Sequence, residues 1–247
     1  FLPFAPPEGS EALRPLLDRR VTRRFAARPV DDAALGLVVA GAQSAPSKSD
    51  LQQYSIIAIR EDAARARIAQ AIPTMPWIAQ APVFLLFCGD LRRNRRIGER
   101  EGRPNANDSV DSFINATADA ALALGFAVMA ADALGLGTCP VSYVRNHLEL
   151  MRALCALPEG VFPLAGLALG WPLARNDTSA RLPPGVVLHM ERYADADPAA
   201  IDAYDARRPL MKPRYPEVHG EAPEGGRWSE NVARQLSVPE RPDTRAW

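Results

Sequence analysis

An α+β fold, a sheet sandwiched by helices, follows from three features of this 247-residue chain. Short runs that are β-branched or continuously apolar recur between helical stretches, at Tyr54–Ile59, 82–88, 138–143 and Val161–Gly170. One stretch, 109–134, reads as a single long helix. After Arg175 the chain turns polar and Pro-rich, with no strong core period until Trp228-Ser229-Glu230-Asn231-Val232, as expected of a tail that wraps a body. The order is α-α-β-α-β-α-β-α-β-tail, without internal repeats, and a chain of this length buries a substantial core. One domain is expected rather than two.

Each element has its own reason. Ser10 is a candidate cap for a helix over 10–18, with Leu13, Leu16 and Leu17 on one face. Asp31 or Asp32 caps a second, through about Gln43, with Leu35, Val38 and Val39 inward. The polar segment 44–50 is a loop. Tyr54–Ile59 is short and β-branched, hence a strand, and 61–71 is a charged surface helix. The run 82–88 is apolar throughout, the mark of a strand covered on both faces. Residues 91–107, arginine-rich and polar, read as an exposed excursion. The first half of the 109–134 helix is amphipathic (Val110, Phe113, Ile114). Its second half is apolar nearly all round, so it needs cover on every side, from a sheet or a second subunit. Gly135-Leu136-Gly137 ends it. A short strand over 138–143 follows, then a helix capped by Asn146 through Leu157, then the buried strand Val161–Gly170.

Composition removes several classes of function. Lysine plus arginine and aspartate plus glutamate both number 29, so no basic face calls for nucleic acid. Cys88, Cys139 and Cys155 form no C-x-x-C pair, which argues against both a disulfide framework and a structural zinc. The apolar stretch 120–136 is interrupted by Asp132 and glycines and suits a buried helix better than a membrane span. The N-terminal residues 1–7 lack a charged region and a continuous apolar core, so an extended arm is expected there rather than a signal peptide. A reduced, cytoplasmic setting is expected, with no membrane partner.

The chemistry-bearing cluster is Arg19-Arg20-Val21-Thr22-Arg23-Arg24-Phe25, four arginines in seven residues. Guanidinium forks match phosphate oxygens bidentately, as lysine cannot. Arg19 and Arg23 share a face if the segment is helical; a solvated basic helix end would account for the cluster equally well. Arg181 stands alone in a Pro-rich strip, where a surface role is the default, and the serines of 44–50 can offer hydroxyl and N–H groups to a polar ligand edge. Residues 140–143 follow a strand end, where open sheets place ligands. Cys139 and Cys155 look like packing residues; His147, His189 and His219 lack metal spacing. No G-x-S-x-G elbow, G-x-G-x-x-G or Walker loop is present. Hydrolase, metalloenzyme and Rossmann readings therefore lack their parts.

Taken together, these pieces resemble the flavin-dependent nitroreductase family, and within it the NADPH-preferring branch of nitroreductases and flavin reductases. The resemblance runs over about residues 12–210. It is carried by the arginine segment, by Ala45-Pro46-Ser47-Lys48-Ser49-Asp50-Leu51-Gln52-Gln53-Tyr54, by Ala133-Leu134-Gly135-Leu136-Gly137-Thr138 with Val144-Arg145-Asn146, by Leu169-Gly170-Trp171-Pro172, and by Arg181-Leu182-Pro183. It implies a central, mostly antiparallel sheet flanked by helices, over 10–210 with an excursion at about 91–108, and a C-terminal extension, 211–247, wrapping the body or a partner subunit. It also implies an interlocked homodimer with non-covalent FMN at its interface. Arg19 and Arg181 would grip the phosphate, with Arg20 and the Val21 backbone lining the same turn. Arg23 would approach the pyrimidine edge of the flavin, where a cation stabilises the reduced form. Ser47 and Ser49 would hold the ring edge or ribityl chain of the FMN in the opposite subunit, and Val141, Ser142 and Tyr143 would offer N–H groups near N5.

The chain departs from the family pattern in three places. A usual lysine is Ser179, with Lys48 or Arg20 as candidate replacements; a usual polar residue near the pyrimidine is Met75; and the loop 218–227, basic in this branch, is acidic. The activity implied is hydride transfer from NADPH or NADH through FMN to nitroaromatic, quinone or flavin acceptors by a ping-pong mechanism, with no side-chain acid or base. Two rivals keep the scaffold: an oxygen-dependent flavin-fragmenting or reductively dehalogenating enzyme, and a flavin-binding protein without turnover.

Overall fold

A computed structural model describes residues 9–174, 176, 178, 180–208 and 227–237. The arm expected at 1–7, Ser179, His219 and the acidic stretch 218–226 lie outside them, with most of the 211–247 extension. In chain order the main elements are α1 (Asp32–Gln43), β1 (Tyr54–Ile59), α2 (Asp62–Ala71), β2 (Val83–Asp90), α3 (Arg92–Arg100), α4 (Val110–Ala133), β3 (Gly137–Val141), α5 (Leu148–Cys155), β4 (Val161–Gly170), α6 (Pro198–Arg207) and α7 (Trp228–Ser237).

The four strands form one antiparallel sheet in the order β1-β2-β4-β3. Every residue of β2 is buried, as a central strand covered on both faces must be. Val83, Leu85 and Phe87 of β2 join Leu167 and Leu169 of β4 in a core with Val38 and Ala42 of α1. Ala123, Ala127, Val128 and Ala131 of α4 complete that core, and Ala116 and Ala120 are buried on the same helix at helical spacing. The small alanine side chains let α4 lie close to the sheet and to α1, where a Cβ on Gly41 would fall 2.4 Å from that of Ala130. By length and composition α4 could cross a membrane, yet this face packs on protein. Gly135, at φ 74°, supplies the left-handed residue that ends it. Asp31 caps α1 by accepting the Ala34 N–H at 2.7 Å.

Several expectations change in the structure. The helix over 10–18 is a 3₁₀ turn, Ser10–Leu13, followed by the single turn Arg14–Leu17. Gly9, not Ser10, holds the N-cap position, and Leu13, Leu16 and Leu17 are exposed. Pro15, lacking an N–H, breaks the ladder between the two turns. The strand expected over 138–143 ends at Val141, and the chain turns into a 3₁₀ segment, Ser142–Asn146. Asn146 thus lies inside a turn, and His147 occupies the N-cap of α5. The 91–107 excursion opens with α3, whose Arg93 N–H is accepted by Asp90 at 3.0 Å. A helix polar almost all round carries no core period to read. The polar chain after Arg175 contains α6, capped by Asp197 through the Ala199 N–H at 2.9 Å. The chain divides into two compact units, a body over 8–178 and a C-terminal unit beginning at Ser179.

Candidate cofactor site

The arginine segment is extended, not helical, and is laid against the outer edge of the sheet in the body. Val21 bridges Thr138 of β3 in parallel, and the Thr22 N–H donates to the Thr138 carbonyl at 2.8 Å. Phe25 bridges Pro172, while the Ala26 N–H donates to the Trp171 carbonyl at 2.8 Å and the Leu173 N–H to that of Arg24 at 3.0 Å. The shared helical face of Arg19 and Arg23 is therefore not formed. Close approach of this strip depends on Gly137, because a Cβ there would fall 2.3 Å from the Thr22 hydroxyl oxygen. Asn176 donates to the Val21 carbonyl, so that backbone oxygen is already engaged.

The charges of the strip are only partly answered. Arg20 donates to Asp18 at 2.7 Å. Among the described residues no carboxylate pairs with Arg19, Arg23 or Arg24. The Nε atoms of Arg20 and Arg23 are buried and have no hydrogen-bond partner among the described residues. The Arg23 guanidinium carbon lies 5.2 Å from the Trp77 ring centroid, a cation–π contact that brings the arginine strip to the turn carrying Met75. Met75 is itself buried. Two positions that only the resemblance linked, 23 and 75, are thus brought together by a residue that sequence reasoning passed over.

The loop 47–53 is held by a second unanticipated residue, Asp119. This carboxylate, 2% exposed in the middle of α4, accepts from the Ser47 hydroxyl at 2.8 Å, the Lys48 N–H at 3.0 Å and the Gln53 N–H at 2.9 Å. Ser47 in turn accepts the Gln52 N–H at 2.8 Å, so its hydroxyl serves the loop itself. Lys48 and Ser49 are exposed. Ser49, Asp50 and Gln52 all take left-handed backbone conformations, at φ 52°, 57° and 48°. Such angles in non-glycine residues are costly and persist only where the surroundings enforce them. Arg93 and Asn94 of α3 add to the clamp, donating to the carbonyls of Gln52 at 3.0 Å and Leu51 at 2.9 Å. Asp119 is one of three aspartates in α4, with Asp111 and Asp132, and nothing in the local sequence sets it apart.

Val141, the last residue of β3, is buried, and beyond it Ser142 is exposed and Tyr143 half-buried. Ser142 and Tyr143 head a 3₁₀ turn, where N–H groups have no acceptor within the turn. Arg145 anchors the turn by donating to the Leu164 carbonyl at 2.7 Å. That carbonyl lies at the bulge where β4 slips register against Phe87 and Cys88.

In the C-terminal unit, Arg181 lines a cavity of about 390 Å³ together with Arg208, Tyr204 and Trp228. Arg208 stacks on Tyr204 at 5.7 Å and keeps its Nη1 buried without a partner among the described residues. Asp205 accepts from Trp228 N–H at 2.7 Å and Ser229 N–H at 3.3 Å, and from the Ser229 hydroxyl. Burial raises its pKa, but these hydrogen bonds and nearby Arg227 outweigh that and hold it below the usual value. Burial pushes the Cys88 thiol up to about 12, with Cys155 and Asp90 adding to it, and raises Cys155 as well. Neither is a reactive thiolate. No group of His, Cys, Asp or Glu among the described residues could hold a metal ion.

The chain matches the Nitroreductase family over residues 16–171 and the Nitroreductase family, C-terminal domain, over residues 179–247. It is 34% identical over 228 residues to an FMN reductase [NAD(P)H] of Bacillus subtilis, covering 91% of this chain and 90% of that protein. It is 32% identical over 234 residues to an oxygen-insensitive NADPH nitroreductase of Salmonella typhimurium, covering 94% of each. Among solved structures, NfrA2 of B. megaterium superposes with a TM-score of 0.87 at 32% identity, over 96% of this chain and 95% of that one.

Proposed function

We propose that this chain, which belongs to the nitroreductase family and is an NAD(P)H-dependent FMN oxidoreductase, works in ping-pong order on nitroaromatic, quinone or flavin acceptors. The observation that carries the reading is the arginine strip: cations fixed along β3, three of them without a carboxylate among the described residues, two with an orphaned buried Nε. Half-buried guanidinium groups with unanswered N–H donors call for an anion, and the phosphate of FMN is one.

The residues present fit that group. Arg19 and Arg20 offer phosphate ligands; Arg20 has the weaker claim, because Asp18 already holds it. Arg181, from the C-terminal unit, takes the same duty by resemblance alone. Arg23, steadied by Trp77, would set a fixed cation at the pyrimidine edge. Lys48 and Ser49, exposed on a loop whose shape is fixed from behind, would meet the ring edge or ribityl chain. Met75 would close the pyrimidine end with an apolar wall. Val141, Ser142 and Tyr143 would present main-chain N–H groups near N5. When bound, FMN supplies the hydride chemistry, taking it from the nicotinamide and giving it to the acceptor, so the chain needs no acid or base of its own.

A homodimer in the cytoplasm belongs to the same reading. The outer face of α4, with Ile114, Leu122 and Met129 exposed, wants an apolar cover of the kind a large obligate interface supplies. The test is retention of flavin. Arg19→Ala and Arg181→Ala should each weaken FMN binding, by about 1.5–3 kcal/mol for a charge-assisted contact, as read from the visible spectrum and fluorescence titration. Full flavin occupancy in both variants would overturn the phosphate assignment. Stopped-flow reduction by NADPH and NADH side by side then tests turnover against mere flavin binding.

A further inference from the structure

We infer that Asp119, far along the chain from the loop residues it binds, is a positioning residue for FMN: its buried carboxylate holds the 47–53 loop in the shape that meets the cofactor. The inference rests on the cofactor reading above and adds to it a residue in a different element. Three donors converge on this one side chain, two of them main-chain N–H groups at opposite ends of the loop, Lys48 and Gln53. The residues between them include Ser49, Asp50 and Gln52, all in the left-handed region without being glycine. A free hexapeptide of these residues would leave that region readily, since each visit is unfavourable for an L side chain. Something must hold the ends, and Asp119, 2% exposed on a rigid helix, does so.

The chemistry requires an acceptor and nothing else. One carboxylate oxygen accepts the Lys48 N–H; the other accepts the Ser47 hydroxyl and the Gln53 N–H. An asparagine fills the same volume but carries an NH₂ in place of one oxygen. Whichever way that amide is turned, a main-chain N–H of the loop faces another donor. The loop then populates its bound shape less often, and a ligand's apparent affinity falls in proportion to that population.

The experiment compares wild type, Asp119→Asn and Asp119→Ala as purified full chains, with FMN as the probe. The FMN dissociation constant is read by fluorescence and amide exchange is followed at 47–53 and along α4. We expect Asp119→Asn to raise the dissociation constant by about tenfold or more, close to Asp119→Ala, with faster exchange confined to the loop. A plain structural role would instead speed exchange along α4 and spare the loop's affinity for FMN in the folded fraction. Wild-type affinity in Asp119→Asn, or faster exchange in α4 rather than in the loop, would overturn the inference. Wild-type protein that takes up no FMN would overturn the cofactor reading and this inference with it, and the wild-type arm separates that failure from the other two.

Discussion

At the scale of single residues, the arginine strip depends on what lies beneath it. A Cβ at position 137 would meet three Thr22 side-chain atoms within 2.7 Å, and none is the far end of a flexible chain. Gly137→Ala should therefore lift the strip from β3, cost about 1–3 kcal/mol in thermal unfolding and release flavin. A variant with wild-type melting and full colour would contradict the packing. The thiols make a second residue-scale test. With Cys88 pushed up to about 12 and Cys139 buried, a neutral thiol reagent should leave both unmodified in the native protein and react with all three cysteines after denaturation. The arginines were legible because four in seven residues is a composition signal. Asp119 and Trp77 were not, because their importance lies in what folds against them, 72 residues away from Ser47 in the first case.

At the scale of elements, the first turn of the C-terminal helix α7 is held by a carboxylate and a ring contact from α6. Asp205 of α6 accepts from both Trp228 and Ser229 at the first turn of α7, and Tyr204 meets the Trp228 ring edge-on at 5.7 Å. Because the folded pKa of Asp205 lies below its unfolded value, the stabilisation is fully present above the ordinary carboxylate range. It is lost as pH falls through the lower folded value. Amide exchange in α7 should accordingly rise on acidification, and Asp205→Ala should speed it by about fivefold at neutral pH, abolishing that pH response. Unchanged protection of α7 in the variant would show that the ring contact alone suffices. Elements with a strong period were readable almost to the residue: α1, β1, α4 and β4. The failures share a cause. Neither α3 nor α6 has a continuous apolar face, and the break at Pro15 and the stop at Val141 are imposed by a missing N–H and by a turn anchored through Arg145.

At the scale of the whole molecule, the alanine face of α4 is satisfied within the chain and the opposite face is not. Leu122, 41% exposed, and Met129, 44% exposed, lie on the uncovered side. If that side is the seam of a homodimer, Leu122→Glu with Met129→Glu should shift sedimentation from dimer to monomer and bleach the flavin together with it. A double variant that still sediments and absorbs as the wild type would place the seam elsewhere. The nearly unbroken apolar second half of α4 was enough to show that the helix needed cover, yet not to say which turns the sheet supplies. Contacts within the chain group residues 8–178 into one compact unit, and a second begins at Ser179.

The amino-acid order alone determined the strands, the long helix, the cationic strip and the family, because periodicity, composition and motif spacing are local properties. Tertiary structure alone decided that the strip is extended, that Arg23 rests on Trp77, and that a carboxylate in α4 shapes the 47–53 loop. Those contacts join residues far apart in the chain, and no local pattern records which distant partner will satisfy a buried charge or an unpaired N–H.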